Sequence, residues 1–153
     1  MKAKQIARGA APTYVVVLDE GEEAFSALSD FAARQQLSAA QVTAVGAFER
    51  ATVGWFDRAA KDYRRIEIAE QCEVLSLVGD ITLGSGSRQS GEDQPQPHLH
   101  TVLGLADGTT RGGHLLQGRV WPTLEVIIRE APVELRKTYR PEVGLALIDP
   151  DEA

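Results

Sequence analysis

Short apolar stretches, separated by charged or glycine-containing turns, recur along most of the chain and are typical of β-strands. The first is a β-branched run at Thr13–Leu18, of the kind that forms a buried strand. Later stretches predict strands at Val42–Phe48, Ala51–Phe56, Tyr63–Ile68, Val74–Leu83, His98–Ala106, His114–Val120, Leu124–Arg129 and Leu145–Ile148.

One segment has helical periodicity instead. Its apolar residues recur at spacings of three and four, which places them on one face of a helix that ends near Gln36. They are Ala24, Phe25, Leu28, Phe31 and Ala32. A second, short helix is predicted at Val133–Tyr139, because Pro132 is favoured at the start of a helix.

The order of these elements indicates the fold class. One long helix and one or two short helices beside many consecutive strands predict an α+β domain with a mainly antiparallel sheet. A chain of 153 residues has the size of one domain, so we expect a single domain over residues 1–153. The Gly-, Ser- and Gln-rich composition between Gly84 and Gln96 predicts a flexible, exposed loop rather than a linker between domains.

Charge and cysteine content limit the compartment and the partners. The chain has 22 acidic and 16 basic side chains, a net charge of −6, whereas nucleic-acid-binding domains need a face rich in Lys and Arg. Direct DNA binding is therefore disfavoured. Cys72 is the single cysteine and is expected to be a buried thiol, which fits a reducing compartment. No apolar run approaches the roughly 20 residues that span a bilayer, so we expect a soluble cytoplasmic protein without a membrane partner.

All three histidines fall within seventeen consecutive positions. His98 and His100 are two apart on a predicted strand and project from the same face. The turn that contains Asp107-Gly108 decides where His114 lies. A three-residue loop pairs His114 with His100 and puts all three imidazoles on one face. A two-residue turn puts His114 on the other face, unless a bulge in the returning strand restores it.

Three neutral imidazoles are the ligand set of an open zinc site, in which water or a substrate oxygen takes the fourth position. Nickel, iron or copper also accept imidazole. Histidines on a surface hairpin are, however, often only solvated, and spacing alone leaves both interpretations open. Gly112 and Gly113 favour the metal site, because glycines leave space for a ligand or for close approach of another backbone; their simpler explanation is a β-bulge.

The histidine segment resembles the hallmark of the plant and prokaryote conserved (PPC) domain, in the form of its bacterial stand-alone members. The matching motifs here are Pro97-His98-Leu99-His100, the Asp107-Gly108 turn and Gly113-His114-Leu115. The resemblance continues, in the right order and over nearly the whole chain, at Val45-Gly46-Ala47-Phe48, Gly54-Trp55-Phe56-Asp57, Glu73–Ile81 and Tyr139–Leu147.

This resemblance implies a compact α+β fold with a strongly bent antiparallel sheet, assembled as a homotrimer. The PPC fold is similar to those of α-acetolactate decarboxylase and a zinc-dependent ester hydrolase, which bind zinc through a His-x-His…His set. It therefore implies a divalent metal, with zinc as the expected ion, at His98, His100 and His114. The space expected beside Gly112 and Gly113 makes these two the candidate cofactor-binding residues. A small-molecule, hydrolytic or lyase role is the expected function.

Glu125 is the candidate catalytic residue. It stands where many PPC domains keep a glutamate, and from the strand predicted after that of His114 it is expected to lie beside the metal as a general base. The alternative interpretation is a carboxylate that faces solvent from a strand.

A second function hypothesis follows from the plant proteins, in which this domain is joined to AT-hooks that bind the minor groove of A·T-rich DNA. This chain lacks the Arg-Gly-Arg-Pro core of that hook; Arg8-Gly9-Ala10-Ala11 is its nearest approach. The departure and the acidic charge argue against direct DNA contact. The alternative function is therefore a non-catalytic DNA-associated or transcription-regulatory assembly module that acts through protein partners.

Overall fold

The computed structural model describes residues 1–9, 11–84 and 93–150. These residues contain nine strands and one helix. The predicted α+β class with a bent, mainly antiparallel sheet is confirmed. No helix in these ranges has the length and apolar character needed to cross a membrane. The elements are β1 (Lys2–Ala7), β2 (Thr13–Asp19), α1 (Ala24–Gln35), β3 (Ala39–Asp57), β4 (Asp62–Ile68), β5 (Cys72–Gly84), β6 (Gln94–Gly104), β7 (Thr110–Glu130), β8 (Arg136–Arg140) and β9 (Leu145–Ile148).

All nine strands belong to one sheet, which is organised around the long strands β3 and β7. The first part of β3 pairs with β5 and with the end of β7, whereas its last part pairs with β4 and with the beginning of β7. Because β5 also pairs with β6, and β6 with the beginning of β7, these four long strands form a closed ring of pairings. Bulges in β3 and β7 bend the strands enough to allow this.

The helix covers one face of this sheet. Its N-cap residue Glu23 accepts hydrogen bonds from the backbone N–H groups of Phe25 and Ser26 at 3.1 and 2.8 Å, and the helix ends at Gln36 in a left-handed conformation. The Glu23 carboxylate also accepts the N–H of Gly118 in β7 at 3.0 Å, which ties the helix to the sheet. The helix buries Ala24, Leu28, Phe31 and Ala32.

Strand β6 shows how the two faces of the sheet differ. Leu99 and Leu103 are fully buried on the inner face, in the same core as the helix. Since successive side chains alternate between faces, His98 and His100 project from the outer face. The outer face therefore carries the candidate chemistry, and the inner face carries the core.

Two pairs of predicted strands are each one continuous strand. The segments Val42–Phe48 and Ala51–Phe56 both lie in β3. The segments predicted at His114–Val120 and Leu124–Arg129 both lie in β7. Pro122 does not end β7, because it lies where the pairing with β3 shifts register and no ladder hydrogen bond is needed from it.

The short helix predicted at Val133–Tyr139 is wrong. This segment contains β8, which pairs in parallel with the end of β5 and antiparallel with β9, so sheet pairing overrides the local helix signal. Strand β1 is not among the predicted strands, because its residues are all exposed and show no apolar run. The predicted loop between Gly84 and Gln96 is wrong at both ends, which lie in β5 and β6; residues 85–92 lie outside the described residues.

Candidate metal centre

A tight hairpin turn joins β6 to β7 and fixes their register. The N–H of Leu105 donates to the carbonyl oxygen of Thr109 at 2.9 Å, which closes a three-residue loop. Gly108 in this loop has φ +81°, a left-handed conformation that favours glycine. The Asp107 carboxylate accepts the N–H and the hydroxyl of Thr109 at 2.9 and 2.7 Å. The turn is therefore the three-residue form considered from the sequence.

This register brings the three histidines together. His100 lies directly opposite His114, and His98 lies two residues earlier on the same face. The ring centroids are 5.0 Å apart for His98 and His100, 5.2 Å for His98 and His114, and 5.4 Å for His100 and His114. One ring nitrogen of each histidine lies within 4.8 Å of the others, and the Nε2 atoms of His98 and His100 are 3.1 Å apart. We call these three residues the histidine cluster.

Asp80 orients His98 from the neighbouring strand β5. Its Oδ2 lies 3.4 Å from Nδ1 of His98, and its Oδ1 accepts from Nζ of Lys137 at 2.6 Å. The Lys137 side chain is only 7% exposed. Burial of Asp80 acts to raise its pKa, but the hydrogen bonds from His98 and Lys137 outweigh burial and lower the pKa below its usual value. An ionised carboxylate behind a histidine is the usual partner of a metal-binding imidazole.

Tyr63 holds His114 on the other side of the cluster. The two rings are stacked, with centroids 4.7 Å apart and planes 23° apart. Gly54 lies opposite His114 in β3 and makes room for this stack, since a Cβ on Gly54 would lie 2.7 Å from the Tyr63 ring. Burial, together with the nearby charges of His98, His100 and Lys137, lowers the pKa of His114 to about 4.

The electrostatics of the cluster suit metal binding. Burial and the proximity of His98 lower the pKa of His100 as well, so both His100 and His114 are neutral near pH 7 and keep a lone pair for a metal. The Nδ1 atom of His114 is buried and has no hydrogen-bond partner among the described residues. Such an unpartnered group costs free energy unless a ligand satisfies it. The donor set therefore fits a divalent ion that accepts imidazole.

The two predicted cofactor-binding glycines have a different explanation. A Cβ on Gly112 would lie 2.6 Å from the carbonyl oxygen of Thr101, and a Cβ on Gly113 would lie 2.5 Å from that of Gly54. The positions beside them are therefore filled by neighbouring strands rather than open to a ligand. Close approach of backbones accounts for both glycines.

The structure does not bring Glu125 to the cluster. Glu125 lies opposite Val45 in β3, whereas His114 lies opposite Gly54, nine positions further along the same strand. Its side chain is exposed, which matches the alternative of a solvent-facing strand carboxylate.

Cys72 also lies outside the cluster. The thiol is buried as expected, and burial raises its pKa to about 11, with smaller contributions from Glu70 and Glu73. A thiol with this pKa stays protonated near neutral pH, so it is a weak metal ligand and a weak nucleophile.

Sequence reasoning missed three residues that surround the histidines. Asp80 in β5 contacts His98, Tyr63 in β4 stacks on His114, and Lys137 in β8 holds Asp80. The sequence places each far from His98 along the chain, and no spacing rule links them to it.

Comparison with known proteins agrees with the fold. The model of the Plants and Prokaryotes Conserved (PCC) domain matches residues 6–132. A PPC protein from Pyrococcus horikoshii has a TM-score of 0.80 at 28% identity, with 90% of each chain covered. A metal-containing protein from Archaeoglobus fulgidus has a TM-score of 0.78 at 28% identity, with 89% of this chain and 91% of that chain covered.

Other similar proteins carry different names. A candidate DNA-binding protein from Bacteroides thetaiotaomicron has a TM-score of 0.83 at 25% identity, with 97% and 98% of the two chains covered. Among curated proteins, a bifunctional GlmU protein from Synechococcus is 28% identical over 143 residues, which are 92% of this chain. The chain spans only 20% of the length of that relative.

Proposed function

Because this chain belongs to the PPC domain family, we propose that it binds a divalent metal ion, with zinc as the expected ion, through His98, His100 and His114. The observation that carries the proposal is the meeting of three imidazole nitrogens within 4.8 Å of one another. The unpartnered Nδ1 of His114 supports it, as does the similarity to a metal-containing archaeal protein.

The chemistry proposed for the site is small-molecule binding or a metal-dependent hydrolytic or lyase reaction. An ion held by three protein ligands supplies Lewis acidity toward a water or a substrate oxygen. The chain itself supplies the orientation of the ligands: Asp80 fixes the ring of His98, and Tyr63 fixes that of His114. Within one protomer, Glu125 has no part in this arrangement.

Elemental analysis and zinc titration test the metal proposal. We expect gently purified protein to hold about one divalent ion per chain, and a His98→Ala/His100→Ala variant to lose most of its zinc uptake, because two of three ligands are gone. Glu125→Gln removes a carboxylate outside the cluster and is the matched control, with uptake unchanged. Equal metal uptake by the wild type and the double variant, with circular dichroism confirming folded protein, would reject the proposal.

We also propose that the protein is a cytoplasmic homotrimer. Apolar side chains on the outer face support assembly: Val78, Val102 and Ile127 are 48%, 44% and 41% exposed. Val78 is directly opposite His100 in the sheet, so the apolar surface adjoins the histidine cluster. Exposed apolar patches typically mark interaction sites. Sedimentation equilibrium should give about three times the 16.6 kDa mass of the chain; a monomer would contradict this.

A non-catalytic module associated with DNA or transcription is the second candidate, supported by the name of the similar Bacteroides protein. With a net charge of −6, such a function would require protein partners rather than direct phosphate contacts. An electrophoretic shift on A·T-rich DNA at physiological salt, together with a partner pull-down, separates the two candidates. Tight and salt-sensitive DNA binding by the protein alone would favour the second one.

A further inference from the structure

A pocket of about 470 Å³ lies beside Asp80, on the far side of that residue from the histidine cluster. It is bordered by the beginning of β3, the later part of β5, the end of β7 and the segment that leads to β8. This volume is within the usual range for small-molecule pockets. Its apolar walls are Ala39, Ala40, Ala131, Pro132 and Leu135.

Polar side chains reach the same pocket from a single row across the sheet. Asp80 in β5 lies opposite Gln41 in β3, and Gln41 lies opposite Arg129 in β7. Residues directly opposite one another in a sheet project from the same face, and all three border the pocket. His98 lies opposite Asp80 and extends the row, so the pocket and the histidine cluster share one carboxylate.

Three charged side chains border the pocket: the carboxylates of Asp80 and Glu130 and the guanidinium of Arg129. The Asp80 carboxylate is already neutralised by Lys137 at 2.6 Å. Glu130, which also borders the pocket, accepts a hydrogen bond from the N–H of Ser38 at 3.2 Å. Within one protomer Arg129 is exposed, and the part of the chain that the structure describes offers it no ion pair. A guanidinium is always charged and matches the geometry of a carboxylate.

A hydroxyl group without a partner among the described residues lies in the wall of the pocket. Thr82 is fully buried, borders the pocket, and has a hydroxyl without a hydrogen-bond partner among the described residues. Buried hydroxyl groups are normally hydrogen-bonded. Thr82 lies two residues after Asp80 in β5 and therefore on the same face, so its hydroxyl is an unsatisfied polar group beside the pocket.

We propose that this pocket binds a small organic monocarboxylate, with the carboxylate on Arg129 and an apolar body against Ala131 and Leu135. A single free guanidinium suits one carboxylate better than a polyphosphate, which requires several cations. A ligand group that lies against Arg129 must be an anion, because the guanidinium would repel a cation and Asp80 is already paired with Lys137. Binding here needs no metal ion, so the proposal stands apart from the function proposed for the histidine cluster.

Titration of chelator-treated protein with hexanoate, followed by calorimetry and by amide chemical shifts, tests the proposal. We expect saturable binding, with shifts centred on Gln41, Asp80, Arg129 and Leu135. Hexanamide has the same apolar body without the charge and should bind at least about tenfold more weakly, since it lacks the ion pair. Equal affinity for hexanoate and hexanamide, or shifts centred elsewhere, would overturn the proposal.

Three variants complete the test. Arg129→Gln should weaken hexanoate binding about tenfold or more while leaving hexanamide binding unchanged, which also shows that the variant is folded. Arg58→Gln removes an exposed arginine in the turn between β3 and β4 and is the matched charge control. Ala131→Trp, at the exposed rim, should block both compounds by filling the pocket. Wild-type hexanoate affinity in Arg129→Gln or in Ala131→Trp would show that the pocket is not the binding site.

Discussion

The two sides of the histidine cluster are held in place by different kinds of interaction. On the β6 side, His98 is 41% exposed and is oriented by a polar chain, in which Lys137 holds Asp80 and Asp80 faces the imidazole. On the β7 side, His114 is more deeply buried and is stacked against Tyr63, and its Nδ1 has no partner among the described residues. His98 is therefore positioned by electrostatic interactions, and His114 by packing.

This difference shows that one small sheet can position two histidine ligands of the same proposed ion by different interactions. A carboxylate behind an imidazole fixes its tautomer and increases its basicity as a ligand. Burial lowers the pKa of His114 to about 4 and keeps this imidazole neutral well below pH 7. The two sides should therefore respond differently to pH, to removal of charge and to loss of packing.

The largest effect that we expect is on the titration of His114 in metal-free protein. Its pKa of about 4 lies below the ordinary histidine value, so the unfolded chain binds more protons than the folded chain between the two values. The contribution of His114 to stability is therefore full above about pH 6.5 and is lost progressively as the pH falls toward 4. Imidazole carbon–proton NMR signals in the presence of a chelator measure the midpoint.

A companion variant ties this shift to burial. Tyr63→Ala exposes the His114 ring, and its titration midpoint should then rise toward the ordinary value of about 6.5. If the wild-type midpoint is already near 6.5, or if Tyr63→Ala leaves a low midpoint unmoved, burial under Tyr63 does not set the proton affinity of His114.

The next largest effect concerns Asp80 and His98, on the β6 side of the cluster. Asp80→Asn keeps the shape of the side chain but removes the carboxylate that faces His98, and zinc affinity should fall about 10- to 100-fold. Competition with a chelating dye measures the change. Glu125→Gln, the loss of an exposed carboxylate on β7 outside the cluster, should leave the affinity unchanged. Wild-type affinity in Asp80→Asn would mean that His98 needs no carboxylate to orient it.

The contrast between the two sides also shows which parts of the site the sequence could predict. The convergence of His100 and His114 depends on a three-residue turn, and Asp107 and Gly108 are local signals for that turn. Register within a hairpin is set by its own turn, so the sequence carries the information.

The supporting residues could not be predicted in this way. Tyr63, Asp80 and Lys137 come from three separate strands, and their approach depends on how β3 and β5 pair over long sequence distances. The same reason explains why the helix prediction for Val133–Tyr139 failed, because the pairing of β8 with β5 overrides local preference. The sequence prediction placed Glu125 too near the histidines, because it divided the long strand β7 into two short strands.

The smallest effect that we expect comes from Tyr63, which stacks on His114 on the β7 side of the cluster. Tyr63→Leu keeps an apolar group over Gly54 but removes the ring that lies 4.7 Å from His114. Aromatic pairs contribute about 0.5–1.5 kcal/mol beyond their burial, so zinc affinity should fall about fivefold if the stack positions His114 for the ion. Tyr63→Phe retains the ring and should bind zinc like the wild type, which separates stacking from any effect of the hydroxyl.

Because Asp80→Asn acts through charge and Tyr63→Leu through packing, high salt should weaken only the contribution of Asp80. A loss in Tyr63→Leu as large as that in Asp80→Asn would mean that shape, rather than charge, dominates the positioning of the cluster.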